Sequence, residues 1–326
     1  MEKLEYFLQN YSSFSNRARI YIHSTVESKN KNYPLLSLHY GNPDGPTLLF
    51  SGGVHGLERI GAQLTYSLLE NFHQRLGWDE TLQVMLQKIQ IVFIPLVNPT
   101  GYFEGTRSNA NGVDLMRNAP IDAEERTPWL LGGHRVSKWL PWYRGHAPEK
   151  ESLFVFDTVK DILSRSNQLI SLDAHSGFGF RDQLWFPFAG GSKPFSQLSE
   201  LYLFFELFKK THPYHVYKIE PQSKNYMTHG DLWDYCFLKL KKENQIFLPL
   251  TLEMGSWIWV KKNPIQLFSK SGLFNPIKKH RLNRTLRRHE SLFYFLLHSL
   301  VSHTEWTAPH LQPQASELAR KKFYES

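Results

Sequence analysis

Four apolar runs, separated by stretches of helical periodicity, constrain the fold of this chain more than any other feature. They have the continuous apolar character of strands buried on both faces of a sheet, and they occupy residues 46–50, 89–97, 167–172 and 245–252. Strands that alternate with helices form a mostly parallel or mixed sheet between layers of helices. The sequence therefore predicts an α/β fold.

The chain of 326 residues is long enough to bury the core of one large domain. We assign residues 1–303 to this domain. It contains an edge hairpin at residues 18–22 and 35–39 and one long amphipathic helix over residues 281–302. From residue 304 onward, Pro, Gln, Ser and charged residues dominate, so we predict that residues 304–326 form a loosely held tail.

The formal net charge of +8 comes from one basic segment. Residues 261–290 contain nine Lys and Arg residues and one acidic residue, whereas the rest of the chain is balanced. No nucleic-acid-binding motif accompanies these charges, so we interpret the segment as a solvated helix face, with a polyanion site as the alternative, and expect no nucleic-acid partner. No run reaches the ~18 apolar residues of a membrane span, and no signal pattern opens the chain. These observations predict a cytoplasmic protein without a membrane partner.

Residues with metal-binding or acid–base chemistry follow the apolar runs. His55 and Glu58 lie in G-G-V-H-G-L-E after the first run, His175 follows the third run, and Glu253 ends the fourth. Because ligands bind beyond the carboxyl ends of the strands in open α/β sheets, we expect these side chains to lie close together.

His55, Glu58 and His175 form a His₂Glu set, which holds zinc and leaves one coordination position open. The spacing H-x-x-E alone favours a glutamate at the positive end of a helix beside an unrelated histidine, so the assignment depends on the third ligand. A Cys-based site is excluded because Cys236 is the single cysteine. Glu253 has the chemistry of a general base and acid, and its alternative is a strand-end carboxylate paired with a lysine.

Six segments resemble, in order and spacing, the motifs of the M14 zinc carboxypeptidase family. They are G-G-V-H-G-L-E (52–58), N-P-T-G-Y (98–102), R-S-N-A-N-G-V-D-L-M-R-N (107–118), D-A-H-S (173–176), Y-M-T-H-G-D-L (226–232) and T-L-E-M-G-S (251–256). The chain is similar to a bacterial, intracellular-type member of that family. The resemblance implies a mixed, mostly parallel sheet of about eight strands between helices.

The resemblance also implies a cofactor and its ligands. One Zn²⁺ per chain would be held by His55, Glu58 and His175, with Glu253 as general base and acid. Asp114 resembles the carboxylate that orients the first zinc histidine.

Three further residues match positions that contact substrate in the family. Arg107 resembles the arginine that stabilises the oxyanion, and Arg117 resembles the one that binds the terminal carboxylate. Tyr226 resembles the mobile tyrosine that closes over the substrate. The family usually has Asn directly before the carboxylate-binding arginine, whereas Met116 stands here and cannot donate a hydrogen bond.

These residues support three hypotheses of function. The first is a zinc metallocarboxypeptidase that hydrolyses the C-terminal peptide bond through metal-activated water, with Glu253 as general base and acid. The alternative is a zinc amidohydrolase or deacylase that acts on small N-acyl amino acids or cell-wall-type peptides. The third, a catalytically inactive binding module, is disfavoured because all four reactive positions are filled.

Overall fold

The structure is a computed structural model that describes residues 2–269 and 271–325. Lys270 of the basic segment, Met1 of the assigned domain and Ser326 of the tail lie outside the described residues.

Eight strands form one mixed sheet in the order β1-β2-β4-β3-β5-β8-β6-β7. Strands β4, β3, β5 and β8 run parallel to one another, whereas β1, β2 and β6 pair antiparallel to their inner neighbours. This arrangement confirms the predicted α/β fold with a mixed sheet of about eight strands. The strands are β1 (Arg19–Ser28), β2 (Lys31–Gly41), β3 (Thr47–Gly52), β4 (Gln90–Ile94), β5 (Gln168–Ser176), β6 (Gln183–Phe186), β7 (Lys218–Pro221) and β8 (Ile246–Met254).

Helices flank the sheet and cover its central strands. Strands β3 and β4 are buried along their whole lengths, as continuous apolar runs require. Helices α2 and α10 pack against β3, and α5 packs against β1, β2 and β5. The helices are α1 (Glu2–Asn10), α2 (Arg59–Arg75), α3 (Glu80–Leu86), α4 (Pro99–Glu104), α5 (Lys150–Arg165), α6 (Leu198–Thr211), α7 (Leu232–Tyr235), α8 (Trp257–Lys262), α9 (Lys279–Arg288), α10 (Glu290–Val301), α11 (Thr304–Thr307) and α12 (Gln312–Phe323). Within the described part of the chain, no helix is both long enough and apolar enough to cross a membrane.

The single helix expected over residues 281–302 is two helices in the structure. Helix α9 ends at Arg288 and α10 begins at Glu290. The break falls at His289, whose ring is buried and whose Nδ1 lies 2.8 Å from the hydroxyl of Tyr217. An amphipathic pattern does not reveal such a break, because the partly buried Leu282 and Leu286 of α9 and the buried apolar residues of α10 all recur at helical spacing.

The C-terminal tail, expected to be loosely held, is helical and packed. Trp306 of α11 and Ala319 and Phe323 of α12 are buried, and both helices contact α6. The ring of Phe323 packs edge-on against Phe186 of β6, with 5.1 Å between the ring centroids. Composition is a poor guide here, because a few buried side chains anchor an otherwise polar segment.

Candidate active site

Three candidate metal ligands converge at the carboxyl ends of β3 and β5. One ligand atom from each of His55, Glu58 and His175 lies within 4.8 Å of the other two, and all three residues are buried. His55 and Glu58 sit in the loop between β3 and α2, and His175 lies near the end of β5. The sharp path of that loop depends on Gly56, because a Cβ there would stand 1.9 Å from the carbonyl carbon of Gly101.

Both imidazoles face Glu58 with Nδ1 and a second carboxylate with Nε2. Nδ1 of His55 lies 2.9 Å from Oε1 of Glu58, and Nδ1 of His175 lies 3.2 Å from Oε2 of the same carboxylate. Each Nε2 faces a different acid: that of His55 is 3.0 Å from Oδ1 of Asp114, and that of His175 is 2.8 Å from Oδ2 of Asp173. A carboxylate beside Nε2 keeps the proton there and leaves the Nδ1 lone pair free for a metal. The donor set therefore fits a zinc ion.

Asp114 links the first histidine to two arginines. Its Oδ2 accepts hydrogen bonds from Nε of Arg107 at 2.9 Å and from Nη1 of Arg117 at 3.0 Å. Burial raises the pKa of this carboxyl, but the two guanidinium groups and His55 hold it well below its ordinary value. Asp114 is therefore a carboxylate at neutral pH and accepts a hydrogen bond from the Nε2–H of His55.

Asp173 is a site residue that the sequence reasoning missed. Besides contacting His175, it accepts hydrogen bonds from the hydroxyl of Ser51 at 2.9 Å and from the indole N–H of Trp233 at 3.0 Å. The signal was present in D-A-H-S, because residues two apart on a strand point to the same face. Burial raises the pKa of Asp173, but His175 and the hydrogen bonds from Trp233 and Ser51 together hold it below its ordinary value, so the group is ionised.

Glu253 lies opposite His175 across the β5–β8 pair. The backbone N–H of Phe178 donates to its Oε1 at 3.0 Å. Burial, with the negative charge of Glu58 as the second cause, raises the pKa of Glu253 to about 8. A carboxyl with a pKa near neutrality both takes up and releases protons readily.

The predicted substrate-contacting residues surround the same cluster. Nη1 of Arg107 lies 3.1 Å from Oε1 of Glu58. Arg117 is buried, and its Nε donates to the backbone carbonyl of Leu131 at 2.9 Å. The ring of Tyr226 lies near this guanidinium, with 6.0 Å between the ring centroid and Cζ of Arg117.

A cavity of about 420 Å³ joins these groups. It is lined by every predicted site residue except Asp114, which lies behind His55 and Arg107. Met116 also lines the cavity, at the position where the resembling family usually has asparagine.

Comparison with known proteins gives a consistent assignment. A sequence profile of the zinc carboxypeptidases (peptidase M14) matches residues 4–255. Human carboxypeptidase D is 28% identical over 154 residues, which cover 43% of this chain and 11% of that protein. The catalytic chain of human carboxypeptidase N is 32% identical over 121 residues, which cover 31% of this chain and 26% of that protein. The chain thus spans a small part of the length of the curated relatives it matches.

Solved structures share the fold. The structure of thrombin activatable fibrinolysis inhibitor has a TM-score of 0.68 at 18% identity, with 93% of this chain and 73% of that one covered. Carboxypeptidase A from Helicoverpa armigera has a TM-score of 0.67 at 17% identity, with 95% and 74% covered. At such identities the likeness concerns the fold alone. Because the family profile covers most of the sequence, this chain belongs to the zinc carboxypeptidase family, whose members are zinc-dependent.

Proposed function

We propose that this protein is a zinc metallocarboxypeptidase that removes the C-terminal residue of a peptide. The observation that carries the proposal is that one cavity contains a His₂Glu cluster, a carboxyl with a pKa near neutrality and a buried arginine. These are the groups needed to hold a metal, transfer a proton and bind a carboxylate.

Each residue has a defined part in this proposal. His55, Glu58 and His175 would hold one zinc ion, which when bound polarises the scissile carbonyl and makes water more acidic. Glu253 accepts a proton from the attacking water and then delivers it to the leaving amine nitrogen.

Two arginines and a tyrosine bind the substrate. Arg107 donates hydrogen bonds to the carbonyl oxygen as that oxygen gains negative charge. Arg117 pairs with the terminal carboxylate, and Tyr226 covers the bound residue. The single cysteine, Cys236, is buried and free, which fits an intracellular enzyme, and a cytoplasmic location is part of the proposal.

One feature favours the alternative of an amidohydrolase or deacylase on small N-acyl amino acids or cell-wall-type peptides. The guanidinium of Arg117 already bonds Asp114 and Leu131, and Met116 adds no donor beside it. Carboxylate binding therefore has fewer donors than an Asn–Arg pair would supply.

Cleavage of free and C-terminally amidated peptides separates the two functions. A charge-assisted contact to arginine contributes about 1.5–3 kcal/mol, so we expect free peptides to be cleaved at least about tenfold better than amidated ones. Arg117→Ala should remove this difference, and Met116→Asn, which restores an amide donor, should widen it. The measurement is kcat/KM by mass spectrometry, with a chelator-treated sample as the control. Equal cleavage by the unmodified enzyme would exclude the carboxypeptidase and favour the amidohydrolase.

A further inference from the structure

A second cavity, of about 520 Å³, lies between the loop that precedes β6, helix α8 and one face of α9. None of the described residues that line it also lines the catalytic cavity. Its described lining residues include five Lys and Arg side chains and a single acid, Asp182. We call this cavity the basic cleft, after its cations Arg181, Lys262, Arg281, Arg284 and Arg288.

Two of the five cations are held in place by the protein. The guanidinium of Arg281 donates to two backbone carbonyls in the last turn of α8, that of Trp259 at 3.2 Å and that of Lys262 at 3.3 Å. Nη1 of Arg288 donates to Oδ2 of Asp182 at 2.7 Å, so the one acid of the cleft is already paired. A guanidinium has more N–H groups than these contacts use, and both arginines therefore keep donors for a ligand.

The other three cations have no partner among the residues that the structure describes. Within residues 2–269 and 271–325, the side chains of Arg181, Lys262 and Arg284 form no ion pair and no hydrogen bond, and all three residues are exposed. The surrounding sequence does not balance their charge, because residues 256–289 contain nine Lys and Arg residues and no Asp or Glu. The basic cleft therefore carries a positive charge that its own segment leaves uncompensated.

The concave shape distinguishes these cations from an ordinary solvated face. A cleft that is lined by one sign of charge and has low-dielectric walls focuses the electrostatic field and concentrates counter-ions. The buried Trp259 and the partly buried Ile258 supply such a wall. On α9, Arg284 lines the cleft, whereas the exposed Arg287 does not.

We propose that the basic cleft binds a compact anion with two or more linked phosphate groups, either an inorganic oligophosphate or the phosphate tail of a nucleotide. The volume of about 520 Å³ is typical of a small-ligand site, so the ligand has to hold its charges close together. Linked phosphate groups do so, and their oxygens suit the forked donors of arginine. The carboxylates of an acidic peptide stand on separate side chains and are further apart.

Binding of inorganic triphosphate to the wild-type protein tests the proposal. Isothermal titration calorimetry at low salt should show one site per chain. The affinity for triphosphate should exceed that for citrate, a compact tricarboxylate, at least about tenfold. No saturable binding of triphosphate, or equal affinities for triphosphate and citrate, would overturn the inference.

ATP distinguishes the two sources of the phosphate groups. Tighter binding of ATP than of triphosphate would show that the nucleoside also contacts the protein and would identify the ligand as a nucleotide. Equal or weaker binding of ATP would show that the cleft recognises the phosphate groups alone.

Two arginines of α9 form a matched pair that assigns the binding to the cleft. Arg284→Gln removes a lining charge and should weaken triphosphate binding at least about fivefold. Arg287→Gln removes an exposed charge outside the cleft and should change the affinity less than about twofold, because solvent screens it. Any contact of triphosphate with the catalytic metal is common to both variants and cancels in their ratio. Equal weakening in the two variants would show diffuse attraction to the whole basic face and would overturn the inference.

Arg181→Gln gives an independent check from another element of the fold. Arg181 lies in the loop before β6, and its side chain is exposed and unpaired among the described residues, so the free energy of unfolding should not change. Triphosphate binding should weaken at least about fivefold, as in Arg284→Gln. Retained affinity in both variants would overturn the assignment to the cleft. The inference does not depend on the proposed function, because none of these measurements requires peptide cleavage.

Discussion

Each imidazole of the candidate metal cluster contacts a second buried carboxylate in addition to Glu58. Asp114 and Asp173 each contact an Nε2 atom, and each is fixed by further donors. Such partners set the orientation and basicity of metal-ligating histidines. The pairing of Asp114 with His55 follows from resemblance to a family. The pairing of Asp173 with His175 follows from strand geometry, because the two residues point to the same face of β5. The contact between Asp173 and Trp233 depends on packing between distant segments, which local sequence patterns do not encode.

Asp173→Asn should weaken zinc binding about 10- to 100-fold, the usual effect of losing such a partner. The amide still accepts a hydrogen bond from His175 but carries no charge. Competition with a chromophoric chelator measures the affinity. Asp182→Asn is the control, because Asp182 is a buried acid whose contacts are Gly255 and Arg288 rather than a candidate ligand. Equal zinc affinities in the two variants would remove Asp173 from this role.

Glu253→Gln should retain zinc and fold while its rate of peptide cleavage falls roughly 10²–10⁴-fold, because the amide cannot transfer a proton. Single-turnover kinetics and metal analysis check the two parts. The Phe178 N–H still finds an oxygen acceptor in glutamine, so circular dichroism should be unchanged. An unaltered kcat would assign proton transfer to another group.

At the scale of elements, the long apolar strands and the edge hairpin at residues 18–22 and 35–39 were predictable, whereas the edge strand β7 and the short helix α4 were not. Strands β3, β4, β5 and β8 bury continuous apolar runs, which have no other stable location in a globular protein. Strand β7 has four residues at the sheet edge, too few for a period to be recognised. Residues 98–101 contain Asn, Pro and Gly, which are typical of a turn, but Asn98 caps α4 and its side-chain oxygen accepts a hydrogen bond from the N–H of Gly101 at 2.8 Å.

The arginines of the basic segment differ in their exposure and contacts. Arg284 and Arg287 are exposed, as a solvated face requires, whereas Arg288 bonds the buried Asp182 at 2.7 Å. Reversal of Arg284 and Arg287 to Glu should leave kcat/KM for a neutral peptide within about threefold, because salt screens exposed charges. A much larger loss at ordinary salt would indicate that this face contacts substrate.

Arg288→Gln, in contrast, should lower the free energy of unfolding by about 1 kcal/mol. The substitution leaves the Asp182 carboxylate with a hydrogen bond from the N–H of Gly255 and without the guanidinium group. Because Arg288 is itself partly exposed, solvent weakens the ion pair, and the loss of unfolding free energy is limited. Urea denaturation measures the change, with the doubly reversed variant as the reference. Equal stabilities of Arg288→Gln and the wild type would show that water solvates Asp182 adequately.

At the scale of the whole molecule, two buried histidines make stability depend on pH. Burial lowers the pKa of His39 to about 3 and that of His289 to about 4. Among the described residues, Nδ1 of His39 and Nε2 of His289 have no hydrogen-bond partner. A proton on Nδ1 of His39 would therefore be buried and unsatisfied, whereas one on Nε2 of His289 would have the Asp182 carboxylate 3.9 Å away. Between these values and about 6.5, the unfolded chain binds more protons than the folded one.

The stabilisation that the two neutral imidazoles contribute is therefore complete above about pH 6.5. It is lost as the pH falls towards the pKa values of the two histidines in the folded state. At pH 5 the loss is up to about 2 kcal/mol per histidine. The raised pKa values of Glu253 and Asp231 make stability change with pH in the opposite direction. The measurement therefore compares the change in unfolding free energy between the two pH values in the wild type and in a variant. Between pH 7 and pH 5, His39→Gln should lose less unfolding free energy than the wild type. Parallel losses would show that His39 does not contribute.

The contacts of Asp173 join segments that are far apart along the chain. Ser51 lies on β3, Asp173 on β5, and Trp233 in α7. Closing such separations costs chain entropy before any contact offsets it, so pairings of this kind slow folding. The metal-binding geometry is complete only after β5 has taken its place between β3 and β8. A partly folded chain in which β5 is not yet paired therefore lacks the complete set of candidate metal ligands.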